Sequence, residues 1–83
     1  MEITLKLYAG LSQYLPENAV KHATKLDIPA SETALSILEK FNVPKESAHL
    51  VLLNGVYLDP NERENSTFSD GDTLAVWPPV AGG

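Results

Sequence analysis

The chain of 83 residues contains no cysteine. That absence excludes disulfides, thiolate zinc sites and a cysteine nucleophile together, so any sulfur chemistry must use sulfur brought from outside. Arginine occurs once, at position 63, and the formal net charge is −5. A surplus of negative charge repels phosphate backbones, which disfavours nucleic-acid binding. No apolar run approaches a membrane span, and the opening Met1-Glu2-Ile3-Thr4-Leu5-Lys6-Leu7 lacks the basic segment and long apolar stretch of an export signal. No membrane association and a cytoplasmic location are expected. There is no phosphate-cradling Gly-x-x-x-x-Gly-Lys loop, and the only two histidines, His22 and His49, have no carboxylate or histidine cluster of metal-ligand spacing around them. The chain is therefore read as non-catalytic, holding no metal and no cofactor of its own.

A chain this short buries only about 60% of the surface exposed when unfolded, so it can have one modest core. Its acids are unevenly spread: residues 1–58 hold six against five lysines, whereas residues 59–72 hold five against Arg63 alone. Two readings fit such a run, a solvated loop or a patch for a basic protein partner. Asp59-Pro60-Asn61-Glu62-Arg63 opens like a calcium loop, but arginine at the fifth position and no glycine after it rule that out. Asp70-Gly71-Asp72 reads as a turn, since two carboxylates without a neighbouring histidine or pocket make a poor catalytic pair.

Ile3, Leu5 and Leu7 alternate with polar residues, the period of a half-buried strand. Residues 9–15 lose that alternation and end at Pro16, which suggests a loop or a single helical turn. A second strand is expected over about 20–28, with Val20, His22, Thr24, Leu26 and Ile28 on one face and Pro29 ending it. Ser31 is the expected cap of the one helix, with Glu32 favourable at its positive end and Ala34, Ile37, Leu38 and Phe41 forming an apolar stripe. Asn42 suits a left-handed C-terminal position and Pro44 cannot continue the helix. Leu50–Leu53 reads as a strand, Asn54-Gly55 as a tight hairpin turn, and Val56–Leu58 as its return. Thr73–Trp77 is apolar on nearly every residue and belongs near the centre of a sheet. Pairing that strand beside the first gives an α+β domain over residues 1–77: a mixed five-stranded β-grasp sheet packed around one main helix, followed by a flexible tail, 78–83.

The tail has a chemical logic. Pro78 and Pro79 fix φ and lack N–H donors, so the ladder must stop at Trp77 and the chain must run on extended. Six extended residues span roughly 20 Å at about 3.3 Å each. That reach could carry a terminal carboxylate deep into a partner's pocket while the folded body stays outside. Gly82 and Gly83 lack Cβ atoms, pass through a narrow channel and leave the terminal carbonyl unhindered. A free carboxylate is a poor electrophile and must be activated first. By itself a glycine pair is an ordinary chain end, but two prolines and a complete β-grasp pattern precede this one.

Asp70-Gly71-Asp72, a short apolar strand and then Pro78-Pro79-Val80-Ala81-Gly82-Gly83 resemble the C-terminal signature of the MoaD/ThiS sulfur carriers, ubiquitin-like proteins of about this length. The likeness runs from the first strand to the last residue, with Asn54-Gly55 where that family commonly has its hairpin. The double proline is closer to the small subunit of molybdopterin synthase than to the thiamine carrier. The resemblance implies that an adenylating, ubiquitin-activating-like enzyme uses ATP to activate Gly83. Sulfur from a sulfurtransferase persulfide then converts Gly83 to a thiocarboxylate. It further implies that Pro78, Pro79, Val80, Ala81 and Gly82 insert into the synthase large subunit, which supplies the catalytic residues for molybdenum-cofactor synthesis. The same tail serves carriers for thiamine, cysteine or tRNA thiolation and modifiers joined to proteins through Gly83, and the motif leaves these alternatives open. Trp77 is expected to face away from the helix, as a partner-binding anchor. One of the pairs Leu50/Leu52 and Val51/Leu53 must share that open face.

Overall fold

In strand β1, Glu2–Leu7, the alternation of the sequence becomes the alternation of burial, with Ile3, Leu5 and Leu7 at most 1% exposed and Thr4 and Lys6 half-buried between them. The computed structural model describes residues 1–79. The chain continues through a 3₁₀ segment, Ala9–Tyr14, strand β2, Ala23–Asp27, and helix α1, Ala34–Lys40. After a short 3₁₀ turn at Lys45–Ser47 come β3, Leu50–Leu53, β4, Val56–Tyr57, and β5, Thr73–Trp77. The sheet order is β2-β1-β5-β3-β4, with β5 parallel to β1 and antiparallel to β3. The last strand thus lies in the middle, where its two apolar faces are both useful.

Leu74 and Val76 of β5 join Leu5, Leu7 and Val51 in a core closed by Ala34, Ile37 and Leu38 of α1. Burial of each large side chain here contributes about 1.5–3 kcal/mol. Val43, Leu58, Phe68 and Leu11 seal its margins.

Two expectations need correction. Strand β2 begins at Ala23, not near 20, because Lys21 takes a left-handed φ of 59° and residues 20–23 close a turn through reciprocal bonds between Val20 and Ala23. Val20 is consequently 71% exposed, although Thr24 and Ile28 are buried as their parity demands. The helix cap is Thr33, not Ser31. Thr33 Oγ1 accepts from the Ser36 N–H and Ser36 Oγ accepts from the Thr33 N–H, a reciprocal closure that Ser31 lies too early to make. The next free donors of the helix, the N–H groups of Ala34 and Leu35, go to the carbonyls of Ser66 and Arg63.

The remaining turns follow side-chain chemistry. Asn42 ends the helix at φ 63°, and Asn54-Gly55 turns β3 into β4 at φ 51° and 84°. Asp72 accepts hydrogen bonds from Asn54 Nδ2 and the Ser69 N–H, while Asp70 accepts from the Glu2 N–H. The Asp70-Gly71-Asp72 turn therefore binds the start of β1, the start of β5 and the β3–β4 hairpin to one another.

Candidate functional site

β5 delivers Trp77 to the end of the sheet from which the tail leaves. Its carbonyl accepts the His49 N–H at 3.1 Å, the last rung before Pro78 and Pro79, which offer no donors. Pro78 is half-buried and Pro79 exposed. Val80, Ala81, Gly82 and Gly83, assigned to tail insertion and chemistry on sequence grounds, lie outside the described residues.

Trp77 is half-buried on the face opposite α1, the side its parity requires, since Leu74 and Val76 are wholly enclosed by the core. It does not stand alone. The Tyr8 ring stacks on it with centroids 4.4 Å apart and planes 2° from parallel, and His22 lies 5.2 Å from Tyr8 on the other side. Leu50, 37% exposed, is in register with Trp77 on β3. The pair Leu50/Leu52 is thus the one on the open face, and Val51 is fully buried. His22, Tyr8, Trp77 and Leu50 form an aromatic and aliphatic ridge across four chain segments at the base of the tail. Such a partly exposed cluster of flat side chains suits an interface anchor.

Tyr8 and His22 were not singled out by the sequence as parts of this ridge. Tyr8 continues the polar parity of β1, and nothing local signals that parallel pairing with β5 brings it onto Trp77. Arg63 was also missed. It is 7% exposed, and its guanidinium donates to the carbonyls of Ala48 at 2.8 Å, Leu58 at 3.0 Å and His49 at 3.3 Å. It thereby holds the segment leading into β3, whose His49 N–H meets Trp77. The Tyr57 ring lies 6.0 Å from the guanidinium carbon.

The acidic segment is used internally. Besides Asp70 and Asp72, Asp59 accepts from the Asn61 N–H and Glu62 from the Asp59 N–H. Three of the five carboxylates thus cap nearby turns, and Asp70 holds the start of β1. Glu32 is the group with a perturbed proton affinity. The hydrogen bond from Lys40 Nζ at 2.9 Å, helped by Ser36 Oγ, holds its carboxyl below the usual carboxylate value. It fastens the helix and lies away from the ridge. Among the described residues no group of three His, Cys, Asp or Glu side chains could hold a metal, and no helix is long and apolar enough to cross a membrane.

One helix laid on a mixed five-stranded sheet, with the last strand at its centre, makes this a ubiquitin-like β-grasp domain. The model of the ThiS family matches residues 12–83. The chain is 38% identical over 65 residues to the molybdopterin synthase sulfur carrier subunit of Drosophila yakuba, a match covering 72% of this chain and 71% of that one. The fold is shared with small archaeal modifier protein 1 of H. volcanii (TM-score 0.69, 20% identity, 95% of this chain and 98% of that chain covered). It is also shared with a chain in the complex of subunits 1 and 2 of molybdopterin-converting factor from Helicobacter pylori (TM-score 0.62, 20% identity, 100% of both chains covered). The chain belongs to the ThiS family of sulfur carriers.

Proposed function

We propose that this protein carries sulfur on its C-terminal glycine for synthesis of the molybdenum cofactor, as the non-catalytic small subunit of a molybdopterin synthase. The observation that carries the reading is the family match extending to residue 83, on a chain 38% identical to a molybdopterin synthase sulfur carrier subunit. The ridge beside the tail supports it from the structural side.

In this proposal the Gly83 carboxylate attacks the α-phosphorus of ATP on an adenylating partner, releasing pyrophosphate and leaving an acyl adenylate. The terminal sulfur of a sulfurtransferase persulfide displaces AMP. A second thiol then cleaves the S–S bond, leaving Gly83 as a thiocarboxylate and the two thiols as a disulfide. Trp77, with Tyr8 and Leu50, seats the body against the large subunit while Pro78, Pro79, Val80, Ala81 and Gly82 extend Gly83 into that subunit's active site. Catalysis of sulfur transfer to the pterin belongs to the partner.

The test is mass spectrometry of the intact protein after incubation with its own activating enzyme, ATP and a persulfide donor. One oxygen exchanged for sulfur at Gly83 is the expected result, and its absence under all such conditions would sink the reading. A second reading is favoured by the fold shared with a small archaeal modifier: conjugation of Gly83 to lysine amines. Peptides branched at lysine with the segment that follows Arg63 in this chain, found in tryptic digests of cells, are its signature.

A further inference from the structure

The open face of the sheet changes character in rows that run across the strands, and the register specifies each row. Nearest the tail lie Tyr8, Trp77 and Leu50. The next row holds Lys6 in register with Ala23 on one side and Ala75 on the other, with Leu52 beyond. The row after it holds Thr4 with Lys25 and Thr73, and the last pairs Glu2 with Asp27. At about 3.3 Å per residue these rows lie about 7, 13 and 20 Å from the Trp77 row.

Lys6 and Lys25 are diagonal neighbours on this face, within about 7–8 Å by strand geometry. Neither forms an ion pair among the described residues, where the only two such pairs are Lys40 with Glu32 and the N-terminus with Asp27. Lys21 is exposed in the adjoining turn, and Lys25 is exposed on the strand. On the face that carries Trp77, Lys6 and Lys25 thus form a positive band between the ridge and the acidic pair of Glu2 and Asp27. Most carboxylates of the acidic segment 59–72 are meanwhile occupied in turns.

From this arrangement, and resting on the proposed function, we infer that Lys6 and Lys25 dock a row of carboxylates on the large synthase subunit, beside the apolar depression that receives Trp77 and Leu50. The partner's matching surface is apolar nearest the tail channel, acidic about 7–13 Å from it, and free of carboxylates farther out, where Glu2 and Asp27 would repel them. The lysines steer the encounter and set its register, while the ridge supplies the contact that holds. Such rim charges act mainly on the association rate.

The experiment measures association and dissociation of the full-length chain with the purified large subunit from the same organism, at low salt and near 1 M salt. Lys6→Gln and Lys25→Glu are the test variants, alone and combined, with Glu64→Lys, in the groove beside α1, as the control. Thermal melts establish that each is folded. The combined variant should associate at least about tenfold more slowly at low salt, with little change in dissociation. That difference should collapse near 1 M, where screening acts over about 3 Å. The control should associate like the unaltered protein. Association of the combined variant at the unaltered rate overturns the inference, as does a loss that persists at high salt or one confined to retention on heparin. If the unaltered protein forms a thiocarboxylate yet does not bind the large subunit, the synthase assignment fails and this inference with it. If it binds and the lysines are indifferent, only this inference fails.

Discussion

Replacing Arg63 by methionine keeps most of the apolar stem of the side chain and removes the guanidinium. The carbonyls of Ala48 and Leu58, bonded at 2.8 and 3.0 Å, then lose charged donors in a buried site, while the His49 bond at 3.3 Å is weaker and counts for little. Hydrogen bonds to charged groups contribute about 1.5–3 kcal/mol each, so two of them bracket a gross loss of about 3–6 kcal/mol. Release of a buried cation from its desolvation cost offsets part of this. We expect a net destabilisation of about 3 kcal/mol, a large share of the 5–15 kcal/mol typical of a domain. For a domain of this size that corresponds to a fall in Tm of about 12–24 °C. Urea unfolding followed by the fluorescence of Trp77 measures it, and amide exchange at His49 should quicken because its neighbours are no longer pinned. Arg63→Lys should fall between, since one ammonium cannot serve three carbonyls in a fixed fork. A loss below about 1 kcal/mol for Arg63→Met, with unchanged exchange at His49, refutes the view that this side chain anchors the entry to β3.

Deleting Gly83 should abolish thiocarboxylate formation, read by intact mass, and leave Tm unchanged, since β5 ends at Trp77. Trp77→Ala should weaken binding to the large subunit by about 2 kcal/mol or more, roughly thirtyfold in Kd. Tyr8→Ala should weaken it less, because Tyr8 supports Trp77 from one side; titration calorimetry compares them. The lowered proton affinity of Glu32 also has a sign that can be checked. Its contribution to stability is fully present above the ordinary carboxylate value of 4.5 and is lost as pH falls through the lower folded value. Glu32→Gln should therefore narrow its stability gap to the unaltered protein in that acid range, as measured by urea midpoints against pH.

Much of the fold is legible wherever local chemistry decides. Ile3, Leu5 and Leu7 announce β1 by period, Asn54-Gly55 and Asn42 announce left-handed backbone, and the doubly apolar Thr73–Trp77 announces a central strand. Legibility fails where distant or reciprocal contacts decide. Lys21 enters the left-handed region with no glycine or asparagine to signal it, so the alternation of Val20 and His22 carried the expected β2 too far. Ser31 and Thr33 are both good caps, and the choice falls to Thr33 because Ser36 answers it. The partners of Arg63 are main-chain carbonyls, invisible to any side-chain pattern. At the site, Trp77 and its open-face orientation were foreseeable from parity. The Tyr8 stack was not, because it depends on two chain ends meeting in parallel.

That parallel meeting bears on how the protein is made. β1 is the first strand to be synthesised and β5 the last, yet β5 is the only link between the β1–β2 hairpin and the β3–β4 hairpin within the sheet. During translation the two hairpins therefore wait, each without its principal neighbour, until residue 77 is available. A chain that stops before β5 lacks the strand that joins the two halves of the sheet. Folding is in this sense a length check: any copy stable enough to meet a partner has already completed the strand to which residues 78–83 are joined.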